Sequence, residues 1–298
     1  MARQPHLLSV SQFANADRLI EVFRQADKNN KDYCLAGKIL GTLFLEASTR
    51  TRLSFESAML RGGGKVISVA DAITCSRSKG ESIEDTVKTM SYYCDVIAMR
   101  LPGNGSVAVA ATHSRVPVIN GGDGDGEHPT QAVLDLYTVW KEFVDINDCV
   151  FILKGDLKYS RTVHSLCKLL KHFKAKVMAW PAAGLEWMGD SSTAEIEPYS
   201  EKWGKRNVVI YTTRPQKERW PSDRDFEYDG SEWAITKEAA NWLPPSSMIM
   251  HALPRSQELP VDADDLPNLG IWKQVQHGVR VRSAIMQMAI EGTESWLQ

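Results

Sequence analysis

The 298-residue sequence lacks the features that mark membrane, secreted and metal-dependent proteins. No apolar run approaches the roughly 20 residues needed to cross a bilayer, and the N-terminus has no signal-peptide core. The seven histidines form no His-x-x-x-His or Glu-x-x-His pair, so we predict no metal site. The five cysteines form no Cys-x-x-Cys pair and are odd in number, which is typical of free thiols in a reducing compartment. We therefore expect a cytoplasmic protein without a membrane partner.

Two further absences narrow the function. The net charge of −2 gives no general attraction for polyanions, so we predict no nucleic-acid partner, and any phosphate site must be local. The sequence has no Gly-x4-Gly-Lys-Ser/Thr loop, which argues against a P-loop NTPase. Hydrophobic content of 43% and charged content of 24% are those of a globular protein. The length suits two domains of about 150 residues.

Apolar runs alternate with amphipathic patterns along most of the chain. Strands are predicted at 39–45, 65–69, 96–99, 116–119, 150–153, 176–179, 208–211 and 248–251. Helices are predicted at 11–25, 51–60, 83–93, 107–112, 130–143, 161–173, 236–242 and 281–290. This alternation predicts the α/β class, with two doubly wound domains that each contain a parallel sheet flanked by helices. We assign residues 1–143 to the first domain, with a C-terminal helix at 279–298 packing back onto it, and residues 144–278 to the second. Residues 181–205 give no readable pattern.

The most informative segment is Ser-Thr-Arg-Thr-Arg at 48–52, which directly follows a predicted buried strand and opens a predicted helix. The first backbone N–H groups of a helix lack partners, and the helix dipole favours an anion there. Arg50 and Arg52 add guanidinium groups, which match phosphate oxygens in bidentate fashion. An N-capping serine with solvated arginines is the simpler interpretation. The density of donors favours a site for a phosphate-bearing small molecule.

Polar clusters follow five of the predicted strands. They are Arg100 and the segments 121–131, 155–162, 213–219 and 252–255. Open α/β sheets place their ligands beyond the carboxyl ends of the strands, where these clusters lie. Any one cluster is as well explained by a solvated loop, but five together are not. We expect two anionic ligands to meet in a cleft between the two domains.

Two motifs resemble known binding loops without matching them. Residues 103–108 fit a relaxed dinucleotide fingerprint, with Asp123 about 20 residues further on, but a proline and a short loop separate them from the preceding strand. Residues 123–127 resemble part of a calcium loop, but the distal glutamate is not at the required spacing. We interpret the second segment as a glycine-rich turn leading to His128. Neither motif predicts a cofactor.

Six motifs, in order along the chain, resemble the aspartate/ornithine carbamoyltransferases. Besides residues 44–58 they are Lys-Gly-Glu-Ser at 79–82, His-Pro-Thr-Gln at 128–131, Gly-Asp-Leu-Lys-Tyr-Ser-Arg-Thr-Val-His-Ser at 155–165, Arg-Pro-Gln-Lys-Glu-Arg at 214–219 and His-Ala-Leu-Pro-Arg at 251–255. The segment 214–219 resembles the second-substrate loop of the aspartate-specific members, whereas ornithine-specific members have a Ser-Met-Gly loop. The resemblance covers about residues 8–292. It implies that residues 1–143 bind carbamoyl phosphate and that residues 144–278 bind aspartate.

The resemblance also implies roles for individual residues. The phosphate of carbamoyl phosphate would be bound by Ser48, Thr49, Arg50 and Thr51, with Lys79 supplied by a neighbouring subunit. Arg100 would be shared between the phosphate and the carbonyl oxygen, and His128 and Thr51 would also contact that oxygen. Arg50, Thr51, Arg100 and His128 would therefore be the catalytic set. The carbamoyl NH2 would be held by Gln131 and the backbone of Leu253 and Pro254. The carboxylates of aspartate would be bound by Arg161, Arg214 and Gln216.

By the same resemblance the protein is a homotrimer with active sites shared between subunits, and it needs no metal or organic cofactor. It would transfer the carbamoyl group to L-aspartate in pyrimidine biosynthesis, with or without regulatory chains. Two alternatives are a transcarbamoylase for another amino acid and a non-catalytic homologue that acts as a binding or regulatory partner. Several positions near the site depart from the family: Cys75 replaces a usual serine and Ser160 a usual glycine, and the family's other usual residues are replaced at Leu101, Pro215 and Ala252. A serine at 160 predicts a restricted turn before Arg161.

Overall fold

The computed structural model describes residues 5–29, 34–70, 76–201, 203–222, 229–230, 233–238 and 243–292. The chain divides into two compact units: unit 1 comprises Met1–Leu134 and Val275–Gln298, and unit 2 comprises Asp135–Gln274. Each unit contains a parallel sheet flanked by helices, so the predicted fold class is confirmed. No helix among the described residues combines the length and apolar character that crossing a membrane requires.

Unit 1 is built on a four-stranded sheet. Its strands are β1 (Ile39–Phe44), β2 (Lys65–Val69), β3 (Val96–Leu101) and β4 (Val118–Asp123), in the order β2-β1-β3-β4. The helices are α1 (Ala16–Lys28), α2 (Thr49–Arg61), α3 (Ile83–Met90), α4 (Ser106–Ala111) and α5 (Pro129–Phe143), which continues into unit 2. Strands β3 and β4 are buried throughout, as in parallel sheets covered on both faces. The edge strand β2 is largely exposed.

Unit 2 is built on a five-stranded sheet. Its strands are β5 (Cys149–Gly155), β6 (Lys176–Pro181), β7 (Ile196–Pro198), β8 (Asn207–Thr213) and β9 (Ser247–Met250), in the order β7-β6-β5-β8-β9. Helix α6 (Arg161–Leu170) follows β5, and α7 (Ile271–Glu291) begins in this unit and continues in unit 1. Short 3-10 helices occur at Val10–Gln12, Ser76–Lys79, Ile146–Asp148, Lys217–Arg219 and Val261–Asp265.

Strand β4 extends four residues beyond its predicted end at 119. The extra residues are polar or small, so an apolar pattern could not find them. Asn120 is buried, and its side-chain oxygen accepts the Gly122 N–H at 2.7 Å. A Cβ atom on Gly121 would lie 3.1 Å from the Met99 carbonyl oxygen, so glycine lets the strand pack closely against β3. The strand thereby carries Asp123 to the end of the sheet.

Helices α3 and α6 each end three residues before their predicted ends, and three other predicted helices differ more. Helix α1 begins at Ala16 rather than 11, because the Asn15 side chain caps it by accepting the Arg18 N–H at 3.1 Å. Helix α7 begins ten residues before 281, since its first turns are mostly polar and gave no apolar pattern. Of the predicted helix at 236–242, residues 239–242 lie outside the described residues, and Lys237 and Glu238 form a turn.

Helix α7 completes the core of unit 1 and orients two other helices. Val281, Ala284 and Ile285 are fully buried, and Arg282 is 3% exposed. The Arg282 guanidinium donates to Ser54 Oγ on α2 at 2.9 Å and to Thr130 Oγ1 on α5 at 3.3 Å. Arg282 therefore links the second turn of α2 to the first turn of α5.

Candidate active site

The predicted anion site lies at the N-terminus of α2, just after the loop that follows β1. Ser48 is the N-cap of α2, yet its side chain makes no capping hydrogen bond and instead accepts from Arg100 Nη1 at 3.3 Å. Thr49 and Arg50 are exposed in the first turn, and Thr51 is buried. The helix N-terminus therefore combines one hydroxyl that accepts from a guanidinium with two exposed polar residues, Thr49 and Arg50.

Arg100 lies at the end of β3, opposite Phe44 in the register with β1. It is 9% exposed, and its Nη2 pairs with the carboxylate of Glu46, which belongs to the loop between β1 and α2. A buried guanidinium needs such a partner, since an isolated charge is costly to desolvate. An anionic ligand at this guanidinium would compete with Glu46 or join it.

His128 lies beside Thr51 at the same edge of the sheet. Their side chains are both buried, and His128 Nε2 is 3.3 Å from Thr51 Oγ1. The turn before His128 is held by Asp123, whose carboxylate accepts the N–H groups of Gly105 at 3.0 Å and Glu127 at 2.9 Å. The segment is thus a turn that fixes His128 in front of α5, as predicted.

The structure places the remaining predicted phosphate and carbamoyl residues of unit 1 on two other segments. Gln131 is half-buried in the first turn of α5, and its N–H donates to the His128 carbonyl at 3.1 Å. Lys79 ends the 3-10 helix Ser76–Lys79 with an exposed side chain. Cys75 lies outside the described residues. Contacts in unit 1 therefore link Ser48, Arg100, Thr51 and His128 in pairs, and Lys79 is on a separate surface segment.

In unit 2, Arg161 is the first residue of α6 and is 7% exposed. Ser160, its N-cap, has φ −86°, a value that any residue adopts, so the expected restriction of this turn by serine was wrong. Gly155, five residues earlier, does need to be glycine: its φ is +104°, and a Cβ atom would lie 2.5 Å from the Thr213 carbonyl oxygen. The position that requires glycine is therefore 155, six residues before Arg161, and not 160.

Asp156 joins the two loops that carry the predicted aspartate-binding residues. It is fully buried, and its carboxylate accepts the N–H groups of Tyr159 at 3.0 Å, Gln216 at 2.8 Å and the Trp220 indole at 2.9 Å. The loop after β5 is thereby fixed to the loop after β8. Asp156 belongs to the motif at 155–165, but the resemblance implied no role for it.

Arg214 is held by a carboxylate of its own loop. Its guanidinium donates to Glu218 Oε2 at 3.0 Å and to Oε1 at 2.5 Å, and Gln216 Nε2 donates to the Arg214 carbonyl at 3.1 Å. The hydrogen bonds to Glu218 raise the pKa of Arg214, and those same bonds lower the pKa of Glu218. The pair presents a preoriented, permanently charged guanidinium.

The segment after β9 is organised by a buried histidine and glutamate. The Leu253 N–H donates to His251 Nδ1 at 2.7 Å, so the imidazole proton is on Nε2, which donates to Glu258 Oε1 at 2.9 Å. Ser256 also donates to Glu258, through its N–H at 2.7 Å and its hydroxyl at 2.5 Å. Leu253 has φ +57° and precedes a cis Leu253–Pro254 bond.

Glu258 is ionised although it is fully buried. Burial raises the pKa of its carboxyl, but the hydrogen bonds from His251 and Ser256 outweigh burial and hold the pKa at about 2. A buried carboxylate therefore supports the loop that presents the Leu253 and Pro254 backbone. Glu258 was not predicted from the sequence, because its side-chain partners are two to seven residues away within one irregular loop.

Two family models match the chain in tandem. The aspartate/ornithine carbamoyltransferase carbamoyl-P binding domain matches residues 5–141, and the Asp/Orn binding domain of the same family matches residues 147–289. The chain belongs to the aspartate/ornithine carbamoyltransferase family.

Relatives within the carbamoyltransferase family cover nearly the whole chain. An aspartate carbamoyltransferase catalytic subunit from Methanopyrus kandleri is 41% identical, covering 96% of this chain and 97% of its own length. The solved catalytic subunit of Methanocaldococcus jannaschii aspartate transcarbamoylase is 37% identical with a TM-score of 0.86, covering 97% and 99% of the two chains. A Trypanosoma cruzi aspartate transcarbamoylase solved with aspartate and phosphate is 32% identical with a TM-score of 0.82, covering 95% of each chain.

No group of three His, Cys, Asp or Glu side chains within the described part of this carbamoyltransferase is placed to hold a metal ion. Beyond the residues named from sequence, the geometry adds four supporting side chains: Glu46, Asp156, Glu258 and Arg282. Each is a charged residue close to a predicted site residue in sequence or in space. Glu46 and Asp156 stand directly after strands, and that position was the available signal.

Proposed function

We propose that this chain catalyses transfer of the carbamoyl group from carbamoyl phosphate to the amine of L-aspartate, giving N-carbamoyl-L-aspartate and phosphate. The observation that carries the proposal is the pairing of Arg100 with Ser48 at the α2 N-terminus, with Thr51 and His128 in contact at the same sheet edge. These donors suit a phosphate joined to a carbonyl group. The choice of aspartate as the acceptor is supported by the relatives, which are named aspartate carbamoyltransferases.

Unit 1 residues stabilise the charge that develops on carbamoyl phosphate. Attack by an amine places negative charge first on the carbonyl oxygen and then on the departing phosphate. Arg100, His128 and Thr51 donate to the carbonyl oxygen, while Ser48, Thr49, Arg50 and the helix N-terminus bind the phosphate. No nucleophilic side chain is needed because the substrate amine attacks directly. Most of the acceleration then comes from orientation and preorganised electrostatics.

Unit 2 residues bind the second substrate. Arg161 and Arg214 bind the carboxylates of aspartate, and Gln216 assists. The backbone of Leu253 and Pro254, together with Gln131 of unit 1, holds the NH2 of the carbamoyl group of the first substrate. The Glu218 pair holds Arg214 in one orientation, which suits bidentate recognition of a carboxylate. A cationic side chain such as that of ornithine would meet a guanidinium instead, so the loop favours an acidic amino acid. The expected location of both substrates in one cleft stays a prediction.

We further propose a homotrimer in which Lys79 completes the phosphate site of a neighbouring subunit. Lys79 is exposed on a surface segment. Leu53 and Leu60 on α2 are 50% and 59% exposed, and Ile67 on the edge strand β2 is 37% exposed, which fits a surface covered by another subunit. The role in pyrimidine biosynthesis, the cytoplasmic location and the binding of regulatory chains stay predictions.

The reaction is tested by a colorimetric assay for carbamoyl-aspartate. Arg50→Ala should lower kcat by about 10² or more, the scale of removing one preorganised transition-state donor. Arg61→Ala is the matched control, since Arg61 is an exposed arginine at the opposite end of the same helix. Wild-type protein that carbamoylates another amine but not aspartate would support the alternative substrate. A chain that carbamoylates no amine and is not stabilised by carbamoyl phosphate would be a non-catalytic homologue.

The shared site is tested by mixing inactive chains. Lys79→Ala and Arg214→Ala subunits should each be inactive alone and regain part of the activity in mixed trimers, because some interfaces then pair two intact half-sites. Mixed trimers verified by mass spectrometry that show no recovery would contradict the sharing of Lys79.

A further inference from the structure

A lysine is buried at the carboxyl end of the central strand of unit 2. Lys154 belongs to β5, is 5% exposed, and lies opposite Trp180 of β6 in the sheet register. Its Nζ is 5.2 Å from the Trp180 ring centre and 4.8 Å from that of Trp233. Two indole faces at this range stabilise an ammonium group that has lost most of its water.

The ammonium group also fixes a segment remote in sequence. Lys154 Nζ donates to the Trp233 carbonyl, and two residues later the Ile235 N–H donates to the Glu258 carbonyl at 3.0 Å. Residues 233–235 are therefore held at one end by Lys154 and at the other by the backbone of Glu258. The Glu258 carboxylate in turn binds His251 and Ser256, and His251 accepts the Leu253 N–H. One continuous set of contacts runs from Lys154 to Leu253.

The negative charge of Glu258 affects two cations, the ammonium group of Lys154 and the guanidinium group of Arg214. An anion near Arg214 weakens the attraction of that guanidinium for a substrate carboxylate, and a nearby cation offsets this effect.

We propose that Lys154 is a positioning residue for the second substrate. Its ammonium group holds residues 233–235 against the Glu258 loop and balances the negative field of Glu258 near Arg214. This role rests on the proposed function. It differs from the roles assigned above because Lys154 acts through Glu258 and residues 233–235 rather than by touching a substrate.

The ammonium group loses its proton within an accessible pH range. Burial lowers the pKa of Lys154 from 10.5 to about 8, against the opposing field of Glu258. Glu258 is ionised throughout this range, because its pKa is about 2. Tyr199, which stacks on Trp180 at 4.2 Å, stays neutral near pH 8, since burial raises its pKa above 10. A change near pH 8 that depends on residue 154 therefore reports the lysine.

Steady-state kinetics of Lys154→Met and Lys154→Arg test the role. At pH 7, Lys154→Met should raise the KM for aspartate about tenfold, while the KM for carbamoyl phosphate and kcat change less than about threefold; tenfold corresponds to about 1.4 kcal/mol. Lys154→Arg keeps a positive charge that stacks on indole rings and does not titrate near pH 8, so it should raise the aspartate KM less than Lys154→Met does. Lys171→Met, at an exposed lysine beyond α6, is the control.

The pH profile separates positioning from simple loss of stability. The aspartate KM of the wild type should rise above pH 8, and this inflection should be missing in Lys154→Arg and Lys154→Met. Tryptophan fluorescence of the wild type should titrate near pH 8 without substrate, and that of the variants should not. An unchanged aspartate KM in Lys154→Met, or an inflection that persists in Lys154→Arg, would overturn the role. Wild-type protein that shows the fluorescence titration but forms no carbamoyl-aspartate would instead overturn the proposed function, and the role with it.

Discussion

The charge on Glu258 should be worth a measurable part of the folding free energy. The carboxyl is fully buried, and its pKa is lowered from 4.5 to about 2, because the hydrogen bonds from His251 and Ser256 outweigh the burial that acts in the opposite direction. A group whose pKa is lower in the folded state stabilises that state above its unfolded pKa. A shift of this size corresponds to about 3 kcal/mol at neutral pH.

Glu258→Gln keeps the shape and removes the charge, so it should lose about 3 kcal/mol of unfolding free energy at pH 7. The stabilisation is lost as the pH falls from 4.5 toward 2. The difference between wild type and variant should therefore shrink to about 2 kcal/mol near pH 3.5. Glu195→Gln, an exposed glutamate of the same unit, is the control and should change stability by less than about 0.5 kcal/mol.

Urea unfolding at a fixed protomer concentration measures this difference at each pH, because the stability of an oligomer depends on concentration. A difference below about 1 kcal/mol at pH 7 would mean that the hydrogen bonds do not offset the cost of burying the charge. A difference that stays constant from pH 7 to pH 3.5 would show that the lost stability comes from packing rather than from ionisation. Either result would refute the reasoning.

Three further predictions concern single side chains in both units. Asp156→Asn should cost about 2–3 kcal/mol in urea unfolding, because an amide NH2 would face one of the three N–H groups that the carboxylate now accepts; a cost below 1 kcal/mol would mean that water replaces the bond. Glu218→Gln should change stability by less than about 1 kcal/mol, since this ion pair is partly exposed. It should still raise the aspartate KM several-fold by loosening Arg214, and an unchanged KM would contradict that. At pH 8 a thiol reagent should leave Cys94, Cys149 and Cys167 of the native protein unmodified. Burial raises the thiol pKa to about 11 for Cys94, to about 12 for Cys149 and still higher for Cys167. Rapid modification of any of the three, located by mass spectrometry, would show local opening.

The alternating apolar pattern predicted the fold class and eight of the nine strands in the part of the chain that the structure describes. Buried parallel strands are continuous apolar runs, and such runs are visible without an alignment. Strand β7 was missed because it has three residues, too few for any period, in a polar segment. The polar end of β4 was missed for a related reason: Asn120 is buried by its hydrogen bonds rather than by an apolar side chain.

The site residues were predictable where a strand end, a helix start and a charged side chain coincide. Thr51 and His128, 77 residues apart, come within hydrogen-bond distance, as the shared sheet edge implies. The carboxylates Glu46 and Glu258 were not predicted, since a negative group in a site for anions has no rationale until its cationic or N–H partners are seen. Arg282 was missed because it lies on the apolar face of α7, where periodicity marks only apolar side chains.

The order in which the chain is synthesised differs from the order in which its units can be completed. Unit 2 is one uninterrupted stretch, whereas unit 1 needs α7, with Val281 and Ile285 in its core and Arg282 bonded to Ser54 and Thr130. Domains of a growing chain usually fold from the N-terminus as they leave the ribosome. Here most of unit 1 is synthesised first, but part of its apolar core stays uncovered until α7 has been synthesised. Nascent chains stalled before α7 should therefore depend on chaperones to avoid aggregation.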